Sequence, residues 1–423
     1  MQLSRRAFPV VLVILFLAVS AKGQVASSPF SKFGIGDLYS PALAQHQGMG
    51  GIGISNWSSS YINSQNPALL VFNKVTVFQG GIQVENRKAT DGTTTQSFFN
   101  GNLNYLTLAL PAISGRWTTS IALTPYSHTN YNISFSDVAS GSNTAINRDE
   151  TGKGGINQFS WSNGVAVNKY LSLGLKASYL FGTIITQDVN PYVNPIGTNT
   201  SVYVRDYFHG FNFTGGVSFH KDSLFKGNYR VAVGAVYSLK SNLDAQHFSR
   251  YQLNSISGAI IDSATVDNNL GSKMLIPQNY GVGLSFGKVD KWTIGGDFTY
   301  LDYRTFNGFT NSLGTPTIGF RSGVGMEYIP DVQDFTNYLN RITYRVGASF
   351  EKSPYLINNN PLTDVGATFG LSLPVGGGWS AVDIGLKAGK RGTISKNLIL
   401  ENYFRVYFGI TFNDRWFIKR KFD

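Results

Sequence analysis

Cysteine is absent from the 423-residue sequence. Its absence excludes disulfide-stapled scaffolds, thiolate zinc sites, cysteine nucleophiles and the modified cysteine that anchors bacterial lipoproteins. Fixed charge is also scarce, because Asp, Glu, Lys and Arg make up 14% of the residues, against about 25% in an average soluble domain. Aromatic residues make up another 14%, which is too many for a disordered chain. The sequence therefore describes an ordered protein without the composition of a soluble domain.

Basic clusters and metal-ligand spacings are missing as well. The formal net charge is +11, but the basic residues are scattered, and Lys419-Arg420-Lys421 is their only run of three. Nucleic-acid binding is therefore not predicted. The histidines show neither H-x-H nor H-x-x-x-H spacing, so we predict no metal site and no cofactor. They are His46, His128, His209, His220 and His247.

Long apolar runs are limited to the N-terminus. The apolar stretch from Phe8 to Val19 follows Arg5-Arg6 and precedes Ala21-Lys22-Gly23, which is a small-x-small cleavage site. This order predicts a secretory signal peptide over residues 1–23. An N-terminal membrane anchor is the alternative, but the run is shorter than the ~20 residues that a spanning helix needs. We therefore expect an exported protein without a transmembrane helix.

Alternation of apolar and polar residues dominates the rest of the chain. Every second residue from Phe404 to Phe412 is apolar, whereas the intervening positions carry residues such as Arg405 and Thr411. Alternation with a period of two predicts a β-strand with one apolar face. The same reading predicts fourteen strands, near residues 74–86, 98–110, 116–128, 154–168, 170–187, 204–220, 229–242, 273–287, 292–306, 318–328, 341–352, 362–373, 380–391 and 398–412.

Two fold classes contain strands with one apolar face. In a soluble β-sandwich the apolar faces share a core, whereas in a transmembrane barrel they meet lipid and the polar faces line the lumen. The even strand count favours the barrel, and so does the alternation of tight turns with long connections, such as 129–153, 188–203 and 243–272. The prediction is an all-β protein, a transmembrane antiparallel β-barrel of about 14 strands over residues 73–412. It would lie in the outer membrane of a Gram-negative bacterium, with residues 413–423 as a periplasmic tail.

About fifty residues separate the signal peptide from the first strand. Residues 24–72 are rich in Ile, Phe, Tyr and Leu, and such a segment is too apolar to stay solvated. A barrel of fourteen strands is too wide for its own side chains to fill. The sequence therefore predicts that residues 24–72 form an N-terminal hatch, or plug, within the lumen.

Motifs within this segment resemble a known family. This segment resembles the N-terminal hatch of FadL-like outer-membrane proteins in the order of its motifs: a Gly-rich run from Gly48 to Gly53, small polar residues through Ser58-Ser59-Ser60, the triplet Asn66-Pro67-Ala68, and then a first strand. The stretches 28–37 and 413–423 look like signatures of the Bacteroidetes branch of such barrels. In this hatch Gly48, Gly50, Gly51 and Gly53 are predicted to form the flexible part, and Asn66, Pro67 and Ala68 to fix the exit into the first strand.

The resemblance implies a function and its partners. FadL-like proteins transport long-chain fatty acids and aromatic hydrocarbons through the barrel and sideways into the outer-membrane lipid. The predicted function is therefore the binding or transport of a hydrophobic small molecule of the fatty acid or hydrocarbon class. A related branch of the family partners a protein secretion system, and this non-transport role, with secretion-system proteins as partners, is the alternative.

Inward-facing charges are the candidate ligand contacts. Pairing between neighbouring strands is the structural interpretation of such charges. Arg341 and Arg345 are the exception, because they lie four residues apart on one face of a predicted strand, about 13 Å from each other, and are predicted to meet a carboxylate headgroup. The alternation places these charges inward: Lys176, Arg230, Asp297, Arg321, Glu327, Arg341, Arg345, Glu351, Asp383, Lys387, Glu401 and Arg405.

Catalytic motifs occur only out of context. Gly283 to Gly287 matches G-x-S-x-G, but a nucleophile elbow requires a strand-to-helix turn, and Ser285 lies inside an alternating strand. Gly48-x-Gly50-x-x-Gly53 matches a dinucleotide fingerprint, but no strand precedes it. An outer-membrane hydrolase is thus a third hypothesis, and the prediction is a protein that is not an enzyme.

Overall fold

A computed structural model describes residues 28–138, 145–190, 198–224, 228–255, 257–308, 314–375, 380–395 and 398–416. The predicted signal peptide, residues 24–27 of the predicted hatch and residues 417–423 of the predicted tail lie outside the described residues. Within the described ranges, no helix is long and apolar enough to cross a membrane.

Strands make up most of the described chain. They are β1 (Asp37–Leu38), β2 (Thr76–Thr90), β3 (Thr95–Ile113), β4 (Trp117–Val138), β5 (Ala145–Ala166), β6 (Leu171–Asn190), β7 (Thr198–Leu224), β8 (Tyr229–Ser238), β9 (Ser241–Ser255), β10 (Ile260–Ile276), β11 (Asn279–Lys288), β12 (Trp292–Asp302), β13 (Gly314–Pro316), β14 (Ile318–Tyr328), β15 (Thr343–Ile357), β16 (Asn360–Val375), β17 (Ser380–Gly392) and β18 (Leu400–Asp414). The short helices are α1 (Ala44–Gln47) and the 3₁₀ helices Pro29–Lys32, Pro67–Phe72 and Tyr338–Arg341.

These strands form one sheet that closes into a barrel. Its first and last wall strands, β2 and β18, pair antiparallel from Thr76↔Asp414 to Thr90↔Leu400 without a register shift. Three pairs of segments, β8 with β9, β10 with β11 and β13 with β14, continue one another along single wall strands. Since β1 is not a wall strand, the eighteen segments make fourteen wall strands. The predicted fourteen-strand antiparallel barrel is confirmed.

The alternation decides which face of each strand points outward. In β18, Phe404 and Phe412 are 47% and 52% exposed, whereas Tyr403 and Tyr407 on the other face are buried. A sandwich would bury the phenylalanines, but a barrel in lipid leaves its apolar face outside and satisfies every strand N–H and C=O around the ring. The apolar faces therefore point outward, as predicted.

Aromatic side chains form two rows on the outer wall. Near the tight turns, Tyr229 and Trp292 both pack against Phe286, at 5.9 and 5.6 Å between ring centres. At the other end of the strands, Tyr280 lies 4.9 Å from Tyr237 and 6.5 Å from Tyr300. Such rows mark the two interfaces of a membrane barrel.

The connections differ from the prediction at both ends of the barrel. The described parts of residues 129–153, 188–203 and 243–272, which were predicted to be long connections, are mainly strand, because β4–β5, β6–β7 and β9–β10 continue past the outer aromatic row. For 129–153 the sequence also allowed such strand extensions. Their exposed residues mix polar side chains with apolar ones such as Phe135, Tyr251 and Leu270, so a regular apolar period could not reveal them. At the tight-turn end, residues 329–342 form a long connection that contains the 3₁₀ helix Tyr338–Arg341.

Candidate functional site

The N-terminal segment, defined here as residues 28–73, lies inside the closed sheet. It contacts inward-facing positions on strands all around the ring, from β4 to β7 and from β11 to β18. A segment that reaches opposite walls of a closed barrel occupies its lumen. This segment and the inward residues around it form the candidate site.

Glycines allow the segment to touch one side of the wall with its backbone. Gly50 adopts φ +72°, and a Cβ there would lie 2.5 Å from the carbonyl oxygen of Val324 on β14. A Cβ on Gly48 would lie 2.7 Å from the Cα of Gly370 on β16. The Gly50 N–H donates to Thr368 Oγ1 at 2.8 Å. The Gly-rich run is therefore packed closely against β14, β15 and β16.

Further along, backbone N–H groups of the segment meet a buried carboxylate. Gly53 and Ile54 donate to Asp297 Oδ2 on β12, at 2.6 and 2.7 Å. Both N–H groups donate to the same oxygen, and Oδ1 has no hydrogen-bond partner among the described residues. Asp297, which sequence reasoning placed inward, therefore holds the segment rather than pairing with another strand.

The triplet Asn66-Pro67-Ala68 lies against β6 and β7. The Asn66 side chain accepts from the Ala68 N–H at 3.1 Å and donates to the Ile54 and Val217 carbonyl oxygens, at 2.8 and 3.1 Å. It caps the 3₁₀ helix Pro67–Phe72, in which a proline at the first position loses no hydrogen bond. The first wall strand then begins at Thr76.

Ion pairs attach the beginning of the segment to the wall. Both carboxylate oxygens of Asp37 accept from Arg391 on β17, at 2.7 and 2.8 Å. Burial alone would raise the pKa of Asp37, but Arg391 outweighs it and holds the pKa well below its usual range. Ser28 Oγ donates to Glu401 on β18 at 2.7 Å, and Glu401 also pairs with Arg87.

The wall itself is split beside β1. Strands β3 and β4 pair only from Leu106↔Leu123 to Ile113↔Trp117. Above that ladder, residues 95–105 of β3 and 124–138 of β4 do not pair with each other, and we call this gap the seam. Pro125 lies at its lower end, where β4 carries a register shift, and proline has no N–H for a ladder.

The N-terminal segment fills the seam. β1 pairs with β4 through Asp37↔His128 and Leu38↔Ser127, and the Tyr39 N–H donates to the Tyr126 carbonyl oxygen at 3.0 Å. The Tyr39 hydroxyl accepts from Asn102 on β3. The segment therefore bridges the two separated strands. On the β4 side it uses the two-residue ladder and hydrogen bonds of Ser28 and Ser31 with Asn130, each at 3.0 Å, and on the β3 side the side chain of Tyr39.

A cavity of about 320 Å³ adjoins the seam. Leu43, Ile52 and Ile54 contribute its apolar side from the segment, whereas the strands contribute mainly amides and hydroxyls. The strand residues include Asn100, Asn102, Asn104, Thr107, Ser120, Gln158, Ser160, Ser178, Asn212, Thr214 and Ser238. The cavity is thus amphipathic, which suits a ligand with one apolar and one polar part.

Lys176, which sequence reasoning did not single out, differs from the other lysine and arginine residues that line this cavity. Each of the others has a carboxylate partner; they are Arg321, Lys387, Arg391 and Arg405. Lys176 Nζ donates to the Ser64 carbonyl oxygen at 3.3 Å, and within the described residues it forms no ion pair. The alternation had placed it inward. In the strand register its neighbours are Ser162 on β5 and Thr214 on β7, so a predicted register would have shown that no carboxylate lies beside it on the adjacent strands. Sequence alone could not show that no carboxylate of the segment reaches it.

Arg345 and Arg341 lie away from this cavity, beside a second one of about 340 Å³ at the tight-turn end. Arg345 is buried and donates to Glu327 Oε2 at 2.7 Å and Ser372 Oγ at 2.6 Å. Arg341 does not lie on a strand, because β15 begins at Thr343. The prediction that both arginines lie on one face of the same strand is therefore wrong.

A short helix accounts for the position of Arg341. The Asn337 side chain accepts from the Leu339 N–H and caps the 3₁₀ helix Tyr338–Arg341. The Arg341 guanidinium lies over the rings of Phe335 and Tyr338, at 5.5 and 5.4 Å. Ligand binding by Arg341 and Arg345 stays a prediction.

Most other inward charges are paired across strands. Arg321 lies 3.1 Å from Glu351, and Lys387 lies 4.0 Å from Asp364. Arg405 pairs with Glu85. These contacts agree with the structural interpretation of the inward charges.

The residues of the catalytic motifs have structural contacts. Ser285 lies within β11, and its Oγ donates to the Ser55 carbonyl oxygen at 3.1 Å. The glycines of the dinucleotide-like motif contact strands β12, β14 and β16 as described above. Within the described ranges, no group of three potential metal ligands converges.

Comparisons with known proteins place this architecture. The family model described as BamG matches residues 5–423. No curated protein matches the chain. Solved structures that share the fold include the Pseudomonas putida toluene transporter TodX, with 13% identity, 90% and 99% coverage of this chain and that one, and a TM-score of 0.59. The Ralstonia pickettii toluene transporter TbuX is 14% identical, with 88% of this chain and 98% of that chain covered and a TM-score of 0.58. A Pseudomonas aeruginosa FadL homologue is 12% identical, with 89% of this chain and 98% of that chain covered and a TM-score of 0.54.

Proposed function

The chain belongs to the BamG family, and from the seam we propose that it is an outer-membrane barrel that binds small hydrophobic molecules and passes them sideways. The seam carries the proposal. It is a gap in the wall next to an internal cavity, and a closed barrel needs no such gap for stability. A ligand that crosses there reaches lipid without entering water.

The lining of the cavity narrows the ligand class. A pure hydrocarbon would leave the amides and hydroxyls of the strand wall without partners, which costs free energy. A molecule with an apolar tail and an anionic head suits the cavity better, because Lys176 supplies a buried cation near polar donors. Fatty acids have this chemistry. The anionic head is therefore assigned to Lys176, while Arg345 is already paired with Glu327.

The N-terminal segment acts as the hatch in this proposal. Residues 24–72 would close the lumen, with Gly48, Gly50, Gly51 and Gly53 against one wall and Asn66-Pro67-Ala68 at the exit into β2. Opening requires that β1 leave β4, that Tyr39 leave Asn102, and that Ser28 and Ser31 leave Asn130 of β4. These contacts are few, whereas the Gly-rich run is held by close backbone packing.

The similar structures support the proposal through their names. Two of them are described as toluene transporters and one as a FadL homologue. At 12–14% identity they share the fold with this chain, and the ligand must be argued from its own cavity. That cavity is the reason to expect an amphipathic molecule rather than toluene.

Lipid bound to the purified protein tests the proposal. Mass spectrometry of detergent-purified protein should detect a co-purified fatty acid or related amphiphile. Lys176→Gln should lower oleate binding about tenfold, since it removes a charge-assisted contact. Lys88→Gln, which removes an exposed outward cation, is the matched control and should bind as the wild type does. Equal oleate binding by both variants would contradict the assignment of Lys176.

A second candidate function has its own observation. The connection 329–342 exposes Val332, Phe335 and Leu339 at 45%, 75% and 60%, at the tight-turn end of the barrel. Exposed apolar residues outside the strands suit a protein contact, and a partner of a protein secretion system would dock there. The family is described as BamG and not as a transporter family, which is compatible with this role.

Crosslinking separates the two functions. A photoreactive residue in place of Phe335 should capture a defined protein in cells if the chain partners a secretion machine. The same residue in place of Phe404, which faces lipid, is the control. If Phe335 yields no protein adduct while oleate binds to the cavity, the transport proposal stands alone.

A further inference from the structure

We propose a binding site for the phosphates of the outer-leaflet glycolipid on the outer wall of β7 and β9. The site, called here the arginine patch, consists of Tyr203, Arg205, Phe248 and Arg250. It rests on the proposed location in the outer membrane but does not depend on transport through the barrel.

The patch lies on the outward face of β7, the same face that meets lipid nearer the tight-turn end of the barrel. β6 and β7 pair from Leu171↔Phe219 to Asn190↔Thr200 without a register shift, so the odd-numbered residues of β7 share one face along its length. Phe211 and Phe213, on this face, are 58% and 41% exposed. Tyr203 and Arg205 continue the same face away from the tight turns.

Its height matches the headgroup region. Tyr207 lies beside His209 at the outer end of the apolar part of the wall, and tyrosines mark the interface of a membrane barrel. Arg205 lies two residues further, about 7 Å along the strand. Phosphates of the outer leaflet lie directly above the hydrocarbon, and therefore at this level.

Aromatic rings hold both guanidinium groups. The register pairs Arg205 with Phe248 and Tyr203 with Arg250. The Arg205 guanidinium lies 5.4 Å from the Phe248 ring centre, and that of Arg250 lies 5.1 Å from the Tyr203 ring centre. Stacking on a ring fixes a guanidinium while its N–H edge remains free to bind phosphate.

Gln252 adds a further constraint on Arg250. With the side-chain amide in the orientation that its neighbours favour, its oxygen accepts from Arg250 Nε and Nη2, at 2.7 and 2.8 Å. The second terminal nitrogen, Nη1, remains for a ligand. The patch is therefore ordered before a phosphate arrives, which favours binding.

The local charge favours an anion. Neither Arg205 nor Arg250 forms an ion pair within the described chain, and Lys153 lies on the same face two strands away, through Lys153↔Ile185 and Ile185↔Arg205. Of the carboxylates on this face, Asp149 accepts from Ser134 at 2.6 Å, and Asp244 lies opposite Lys273 in the β9–β10 register. A phosphorylated headgroup therefore fits the patch better than a neutral sugar does.

Native mass spectrometry with bis-phosphorylated lipid A tests the site. The double variant Arg205→Gln, Arg250→Gln should lose about tenfold in lipid A occupancy, since it removes two charge-assisted contacts. The control is Lys88→Gln, Lys390→Gln, which removes two exposed outward cations that flank Asn402 and do not stack on any ring of the described residues. The control should retain wild-type occupancy, and heat-modifiability should verify that both variants are folded.

Two further arms identify the chemistry. Lipid A without its phosphates should bind the wild type as weakly as the intact lipid binds the double arginine variant, and inorganic phosphate alone should not displace lipid A. Equal loss in both double variants, or equal binding of the dephosphorylated lipid, would overturn the proposal. Membrane fractionation of the wild type is read separately, so a failure of outer-membrane location is distinguishable from a failure of the patch.

Discussion

The N-terminal segment meets two sides of the barrel in different ways. Against β14, β15 and β16 the backbone of its glycines packs on glycines of the wall, such as Gly347 and Gly370. At the seam it contributes the two-residue β1, the side chain of Tyr39, and hydrogen bonds of Ser28 and Ser31 with Asn130. Both contacts are close, since a Cβ on Gly36 would lie 2.2 Å from the His128 carbonyl oxygen, but only the second bridges two wall strands that do not pair.

This difference assigns separate tasks to the two sides. Close backbone packing is intolerant of change, because a Cβ has no space and nearby carbonyls cannot move without breaking a ladder. A short ladder opens at low free-energy cost, as do most weakly paired elements. In the proposed transport, the segment would stay anchored at β14–β16 while the seam opens.

Deleting residues 24–60 should have the largest effect. The deletion removes both contacts and most of the material inside the lumen, so the barrel should fold and give large, open conductance in planar bilayers. The wild type is the reference in the same lipid. Unchanged conductance would show that the segment does not close the lumen.

Gly50→Val should strongly destabilise the anchored side. The valine would adopt an unfavourable positive φ and its Cβ would meet the Val324 carbonyl oxygen, which together cost about 4 kcal/mol. Gly51→Ala is the control, because Gly51 also has a positive φ but its Cβ would lie 4.0 Å from the nearest atom, Ser40 Oγ. The control should cost about 1 kcal/mol. Urea unfolding in detergent measures both, and equal losses would refute the close-packing argument.

Asp37→Asn should loosen the seam. It leaves the partly buried Arg391 without its bidentate partner and with Glu401, 3.9 Å away, as its remaining carboxylate, which should cost about 3 kcal/mol. Hydrogen exchange at the β1 amides should accelerate, while exchange at Gly50 should not change. Faster exchange at both places would mean that the two contacts are not separable.

Acid should also destabilise the N-terminal segment. Burial, and then Arg345, lowers the pKa of His46 from 6.5 to about 3, so the unfolded chain binds this proton first and stability falls as the pH drops from 6.5 towards 3. The lowered pKa of Asp37 adds a loss below its ordinary value of 3.8. His46→Asn should flatten the upper part of this pH profile of urea unfolding. A profile that is unchanged in the variant would exclude His46 as its source.

Arg341→Gln should have the smallest effect. Arg341 touches neither contact of the segment, and its partly exposed guanidinium only lies over Phe335 and Tyr338, so the change should cost less than about 0.5 kcal/mol. Arg345→Gln is the comparison, because it breaks the buried pair with Glu327. Similar unfolding midpoints for the two variants would contradict this assignment.

Sequence reasoning succeeded for the wall strands, because their side chains face lipid and lumen in strict alternation. Lipid outside and polar groups inside impose alternation on every wall strand, which is why all fourteen were found and why residues such as Arg405 and Asp383 were placed inward. It failed for Arg341, since the local capping of a 3₁₀ helix by Asn337 overrode an apparent strand. Sequence reasoning could not find the seam, because it depends on which parts of neighbouring strands do not pair. It could not single out Lys176, because that depends on which inward charges have no ionic partner.

The uninterrupted ladder between β2 and β18 has a consequence for how the chain folds. It joins residues more than three hundred positions apart, so the ring closes only after the last strand has been made, and such non-local pairing is slow. The N-terminal segment immediately precedes β2 and rests on both β4 and β17, which come within four strands of each other only when β2 and β18 pair. The chain must therefore wrap around its own beginning, and that beginning is enclosed in the same step that completes the barrel.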